Sequence, residues 1–462
     1  MSRVLVAAFA LVGFPLVATG EEPAVHFTIC PMAAPKPALK YQLLPELHEL
    51  NAGNAAHNYL KCFMEQRKFF YSKEAVAERA RFLAMPLAEL PAGQLKGYGG
   101  SALRHADWAA RLDAVDWQYL PSSRGGDMGD VPGELGQLQI LAAALQVRFR
   151  AEGAGRRFDD AIRTAKTLFA LSRHLGEHGT EVANLVGLWV AHLTLGGLEE
   201  MVQQPGSPNL YWALTDLPCP PVDLRKGVQA GRAQVAGDLR RLRNDAPMTE
   251  SDVDQLVSHL ATMLSFHREQ EGKAPRNIRG QLQGRLQALA RDADRIRDTQ
   301  RRLIDAGYAE SLVRRFPPSQ LILLGEKHEF EVQRDERTKL LSLPLWQIDS
   351  SADGLERERG GNGLFADFLP HIIKLCRARG QLERQIALLR HVEALRLYAA
   401  GHDGKLPARL SDIPVPLPVD PFSGKPFDYT VEGTTAHLRG ESPSGEGSKA
   451  RGAIHYEVMI PR

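Results

Sequence analysis

A chain of 462 residues with 57 basic and 55 acidic side chains carries a net charge of only +2, which excludes a strong electrostatic pull toward nucleic acid or an acidic membrane. With 44% hydrophobic and 24% charged residues the composition is that of a globular protein, long enough for two or three domains. Aromatics make up only 7%, and alanine, leucine and arginine are frequent, a mix that favours packed helices over a β-sandwich.

The first twenty residues differ from the rest. Arg3 gives a short basic start, "VLVAAFALVGFPLV" is an unbroken apolar run, and Ala18 and Gly20 are small. This pattern predicts a secretory signal peptide over 1–20, cleaved near Gly20–Glu21. The alternative is an uncleaved anchor, although the run is shorter than the roughly 20 residues of a membrane span and contains Gly13 and Pro15. No later segment reads as a membrane span, so the mature protein is expected to be exported, periplasmic or extracellular. In such a compartment Cys30, Cys62, Cys219 and Cys376 permit two disulfides in three connectivities, and their spacing is too wide for a local zinc knuckle.

Residues 21–53 are rich in proline and predict an extended segment across the surface. A helical domain is expected over 54–349. Ser72 is placed to cap "SKEAVAERARFLAM", and "PSSRGGDMGDVPG" is a loop by composition. Three helical segments follow, ending near Gly153, Gly179 and Pro205, with short connections that imply antiparallel neighbours. The first two resemble a helix pair of the tetratricopeptide kind, with Ala161, Ala165 and Phe169 permitting close approach; one such pair makes the array solenoid-like.

Further on, Leu282, Leu286, Leu289, Ala293, Ile296, Gln300 and Leu303 alternate steps of four and three, the seam of one long helix packed lengthwise. The flanking Arg285, Arg291, Arg295, Arg297, Arg301 and Arg302 read as a solvated face, because Asp292, Asp294 and Asp298 stand three or four residues away. "SSADGLERERGGNG" predicts a linker over 350–362. Beyond it, 363–462 reads as a small α+β unit: a long helix bent at Pro370, then "FDYTVEG", "TTAHLRG" and "AIHYEVMI" as three antiparallel strands. The fold class is therefore mainly α with a small C-terminal α+β unit.

Two resemblances are carried by particular stretches. "ALRLYAAGHDGKLPARLSDI" followed by "LPVDPFSGKPFDY" and strands resembles the globular domain of the major pseudopilins of type II secretion. Asp420, Pro421, Phe422, Gly424 and Pro426 match that family's turn with one extra residue, Ser423. The resemblance implies a helix with a three-stranded sheet packed on it. The cleavage sequence and apolar stem of that family are missing. At the place of its calcium loop, "GESPSGEGSKARG" offers only Glu441 and Glu446 against Lys449 and Arg451, so no calcium is expected. "LVGLWVAHLTLGGLEEMVQQPGSPNLYWALTDLP" is similar to a group of exported bacterial helical proteins, which implies no particular activity.

One motif carries chemistry. His174, Glu177 and His178 spell H-x-x-E-H, which supplies metal ligands and a general base in one class of zinc peptidases. Against that reading, Gly176 lies inside the motif, Gly179 looks like the residue that ends the helix, and Thr180 looks like the next N-cap. Glu250 is a third ligand only by default. No cofactor or metal is therefore expected, with His174, Glu177 and His178 as the one candidate set. His105 beside Asp107, and His328 beside Glu326 and Glu329, read as exposed helix faces. The function these observations favour is a non-enzymatic role, binding a protein or envelope component and no nucleic acid. A zinc hydrolase and a component of a secretion or surface assembly are the alternatives.

Overall fold

A computed structural model describes residues 24–118, 133–270, 277–348, 363–440 and 454–461. The signal peptide, the 350–362 linker and the loop in the calcium position fall outside the described residues. The architecture is mainly α with a small C-terminal sheet.

The first helices are set by local caps. Asn54 accepts from the Ala56 amide to open α1 (Ala55–Glu65), and Ser72 accepts from the Ala75 amide to open α2 (Lys73–Ala84). The central bundle is α3 (Gly133–Ala154), α4 (Phe158–Gly176) and α5 (Glu181–Val202), joined by connections of a few residues. Ala161, Ala165 and Phe169 are all buried, as their small-residue spacing predicts. Apolar residues occur nearly all round α5, which makes it long and apolar enough to cross a membrane, contrary to the expectation that no later segment would be. In this fold 61% of its most apolar window is buried inside the protein, as befits a helix covered on several sides.

The chain then leaves this body through α6 (Arg225–Asp238) and builds a second helical unit from α7 (Glu250–Gln270), α8 (Ile278–Arg291), α9 (Ala293–Asp305) and α10 (Pro318–Thr338). This unit has its own apolar core, in which Leu256, Leu260, Leu286, Leu303, Leu321 and Leu324 meet. The single long seam helix is corrected. Asp292 has extended geometry and breaks it, and its carboxylate accepts from the Asp294 and Arg295 amides to start α9. The seam still faces inward on both halves: Leu282, Leu286 and Leu303 are buried. The arginines lie outside, with Arg302 3.1 Å from Asp298 and Arg297 paired with Asp294.

Helix α11 (Ile372–Ala400) returns to the body. It begins after Pro370 and is not bent by it; a proline just ahead of the first turn breaks no helical hydrogen bond. Its Leu388, Leu389, Val392 and Leu395 have no exposed surface. The "DPFSGKP" turn then closes with Asp420 and Lys425 backbones bonded, and Gly424 at φ +67°, a conformation that side chains resist.

The sheet contains the three expected antiparallel strands, β4 (Asp428–Glu432), β5 (Thr435–Gly440) and β6 (Ile454–Met459). Alternation buries Phe427, Tyr456, Val458 and Ile460. A fourth strand comes from the other end of the chain: β1 (Val25–Thr28) pairs parallel with β6, giving the order β1-β6-β5-β4. Residues 25–28 of the proline-rich N-terminal segment are thus part of the sheet, and Phe27, Ile29 and Leu43 are buried. Two further short strands, β2 (Asn51–Asn54) and β3 (Leu112–Ala114), pair parallel elsewhere in the body.

The expectation of a separate C-terminal unit is also corrected. One continuous core runs from Tyr59 through α3, α4 and α5 into α11 and the sheet. The sheet and α5 are joined directly, since Tyr456 donates to Glu199 at 2.6 Å and Gln385 donates to the same oxygen at 2.9 Å. The division that the packing makes lies instead between this body and the second helical unit.

Candidate functional site

The H-x-x-E-H segment forms a joint between helices. Helix α4 stops at Gly176, so His178 lies beyond the helix and not on its last turn. Asn184 of α5 supports the helix end: its side-chain amide donates to the carbonyls of Leu175 and Gly176 at 3.3 and 3.2 Å. Gly176 fits a tight place, because a Cβ there would stand 3.1 Å from Val222 and 3.3 Å from the Asp223 backbone. Thr180 caps α5 as expected, accepting from the Ala183 amide at 3.2 Å.

The three motif side chains diverge. His174 is buried with Nδ1 3.0 Å from the Tyr59 hydroxyl. Trp117 donates its indole N–H to the His174 carbonyl at 2.8 Å, and its ring lies 5.7 Å from that of His178. His178 Nδ1 is 3.1 Å from the Thr180 hydroxyl. Glu177 points outward to Lys226 at 3.1 Å, where both side chains are about half exposed. Burial and the neighbouring Arg173 push His174 down to about 3, and burial with Lys226 pushes His178 down to about 4. Both rings are neutral near pH 7 and fill an aromatic corner. The default third ligand, Glu250, begins α7 in the second helical unit.

The remaining sequence candidates are held by other partners. Asp107 makes a two-pronged pair with Arg148 at 2.6 and 2.9 Å, while His105 stands 3.1 Å from Glu65. Glu326 accepts from Arg295 and from the Leu364 amide. The four cysteines are free thiols, Cys62 on α1, Cys376 on α11, and Cys30 and Cys219 on connections. Burial raises Cys62 to about 12 and Cys376 to about 11, which leaves both unreactive.

Two other features have the character of sites. The first is a groove of about 690 Å³ along one face of α7, lined among others by Arg241, Asp254, Ser258, His259, Thr262 and Arg279. Residues 254, 258 and 262 recur every fourth position, so one stripe of the helix faces the groove. His259 is held 3.0 Å from Asp238, and Gln283 reaches Asp254 at 3.2 Å. The lining offers hydroxyls, an amide and charges of both signs.

The second is a cluster on the outer face of the sheet. Among the described residues, His437, His455 and Glu457 form the one group of three or more metal-type side chains whose donor atoms converge, all within 4.8 Å. None of them entered the sequence reading. The available signal was H-x-E in "AIHYEVMI": on a strand, residues two apart share a face, and the apolar alternates Tyr456 and Val458 mark the opposite, inward face. No family model, curated protein or solved structure matches this chain.

Proposed function

We propose that this chain is an exported, non-enzymatic binding protein of the bacterial envelope. The observation that carries the reading is the groove on α7: an open polar face on a unit with its own core, offering hydrogen-bonding groups and mixed charges and no reactive thiol. Such a lining suits an extended polar segment of a partner protein better than a small apolar ligand. The first twenty residues support export. A photo-crosslinking residue at Ser258 in the full chain is expected to capture one envelope protein. Asp254→Lys with Arg279→Glu is expected to abolish that capture. Capture that is absent, or unchanged by the double charge reversal, sinks the reading.

A second reading, a component of a secretion or surface assembly, draws support from α11 and the β4–β6 meander, which form the helix-and-sheet arrangement that the pseudopilin resemblance implies. The zinc-hydrolase reading draws none from the geometry, because Glu177 is turned away from both histidines of its motif.

A further inference from the structure

Three strands bring imidazole and carboxylate together on the solvent side of the sheet. His455 and Glu457 sit two apart on β6 and so share a face. On one side of Glu457 its register partner on β5 is His437; on the other its partner on β1 is His26. The donors meet at contact distance. His437 Nδ1 lies 3.0 Å from His455 Nε2 and 3.6 Å from Glu457 Oε1, and His455 Nε2 lies 3.7 Å from that same oxygen. A tetrahedral zinc ion with ligands at about 2.0–2.1 Å holds neighbouring donors about 3.3–3.4 Å apart. The three observed edges bracket that value, so a small movement of each side chain admits an ion.

We propose that this face binds one divalent transition-metal ion, zinc by preference, through His437 Nδ1, His455 Nε2 and a Glu457 oxygen, with His26 or water as fourth ligand. The donor chemistry decides the class of metal: imidazoles with a single carboxylate suit zinc, copper or nickel, whereas calcium and magnesium need more oxygens. The triad is partly shielded, its side chains exposing 12%, 23% and 26% of their surface, so its ligands are positioned by packing. His26 is 74% exposed and its Nδ1 is 2.8 Å from the other Glu457 oxygen, so a turn of its ring reaches the same ion. The Glu432 carboxylate lies 4.0 Å from His437 Nε2, within a small shift of the outer hydrogen bond that orients a zinc-bound imidazole. With His26 as fourth ligand the ion joins β1 to β5 and β6. The site is independent of the groove on α7.

The test uses the untagged full chain, stripped with a chelator and titrated with zinc chloride under equilibrium dialysis. One zinc per chain is expected. Cobalt in its place is expected to give the intense visible absorption of tetrahedral coordination. His437→Asn with His455→Asn is expected to abolish stoichiometric binding, and His26→Asn to weaken it roughly 10-fold. His174→Asn with His178→Asn is expected to bind as the wild type does, which separates this site from the H-x-x-E-H motif. Glu457→Gln serves as a second probe should the double variant lose its circular dichroism: zinc is expected to raise the melting temperature of the wild type and not of that variant. Sub-stoichiometric zinc on the wild type, or binding that survives the loss of His437 and His455 or follows His174 and His178, overturns the proposal.

Discussion

The sheet-capped body and the second helical unit differ in how deeply they bury ion pairs. In the body, whole ion pairs are buried. Arg384 grips Asp420 with two hydrogen bonds at 2.9 and 2.8 Å, and the side chains expose 0% and 1%. Arg396 bonds Glu393 at 2.9 Å and also reaches the Cys30 carbonyl and Ser207. On the second unit, pairs such as Arg302–Asp298 and Arg314–Glu310 lie on the surface. The physical difference is one of chain separation. Helices α7 to α10 are near neighbours in sequence, so a heptad-like stripe suffices to pack them. The body has to bring together residues 27–43, 55–228, 340–348 and 372–460, and its buried charges work only when the segments that carry them are in register. A buried pair adds little net stability but penalises every arrangement that leaves one charge alone.

The sharpest way to break this comparison is Asp420→Ala. It strands the Arg384 guanidinium, and the expected cost is about 3–5 kcal/mol. Hydrogen exchange is expected to show α5, α11 and the strands losing protection together, with α7 to α10 unaffected. Protection lost from residues 420–460 alone, with α5 intact, restores a separate C-terminal unit.

Leu324→Ala makes the reciprocal test in the core of the second unit, where a large-to-small change costs about 2–5 kcal/mol. Protection is expected to fall over residues 250–330 and to remain in α4 and α5. A single transition moved by both variants means that the two cores unfold as one.

The third effect is pH-dependent. The folded protein holds His174 at about 3, against roughly 6.5 in the unfolded chain, because burial and Arg173 oppose its protonation. Below pH 6.5 the unfolded chain takes up this proton first, so the stability associated with a neutral His174 is present above 6.5 and lost as pH falls toward 3. Buried Glu199 is raised, chiefly by burial, and acts in the opposite sense, so the test is a difference between proteins. Denaturation of the wild type and of His174→Gln is expected to converge as pH falls from 6.5 to 4, by about 1.4 kcal/mol per pH unit. Parallel profiles mean that His174 is protonated in the fold.

Much of the local structure was legible in the sequence, because it follows from short-range rules. The caps at Ser72 and Thr180 stand where their hydroxyls meet free amides, and the period of two around Tyr456 and Val458 marks the inner face of β6. A helix end at H-x-x-E-H was readable too, although the sequence places it at Gly179 and it falls at Gly176. What misled was local pattern extended too far. The heptad spacing runs unbroken through Asp292, whose side chain nonetheless prefers to cap, and Pro370 sits ahead of a helix it was expected to bend.

What the sequence determined by itself is the mainly helical class, the three-stranded meander, and the fact that the motif histidines sit at a helix end. What only the tertiary structure decided is which distant segments share a core. Nothing near residue 25 announces that β1 will lie beside β6, and nothing near His26 announces His437 or Glu457. Arg384 reads as an ordinary polar residue and Asp420 as part of a turn, yet they are among the most buried in the protein. A strand edge accepts any extended chain, and a buried charge accepts any opposite one. Those interactions carry no local signature, so the partner is chosen only when the whole chain has been packed.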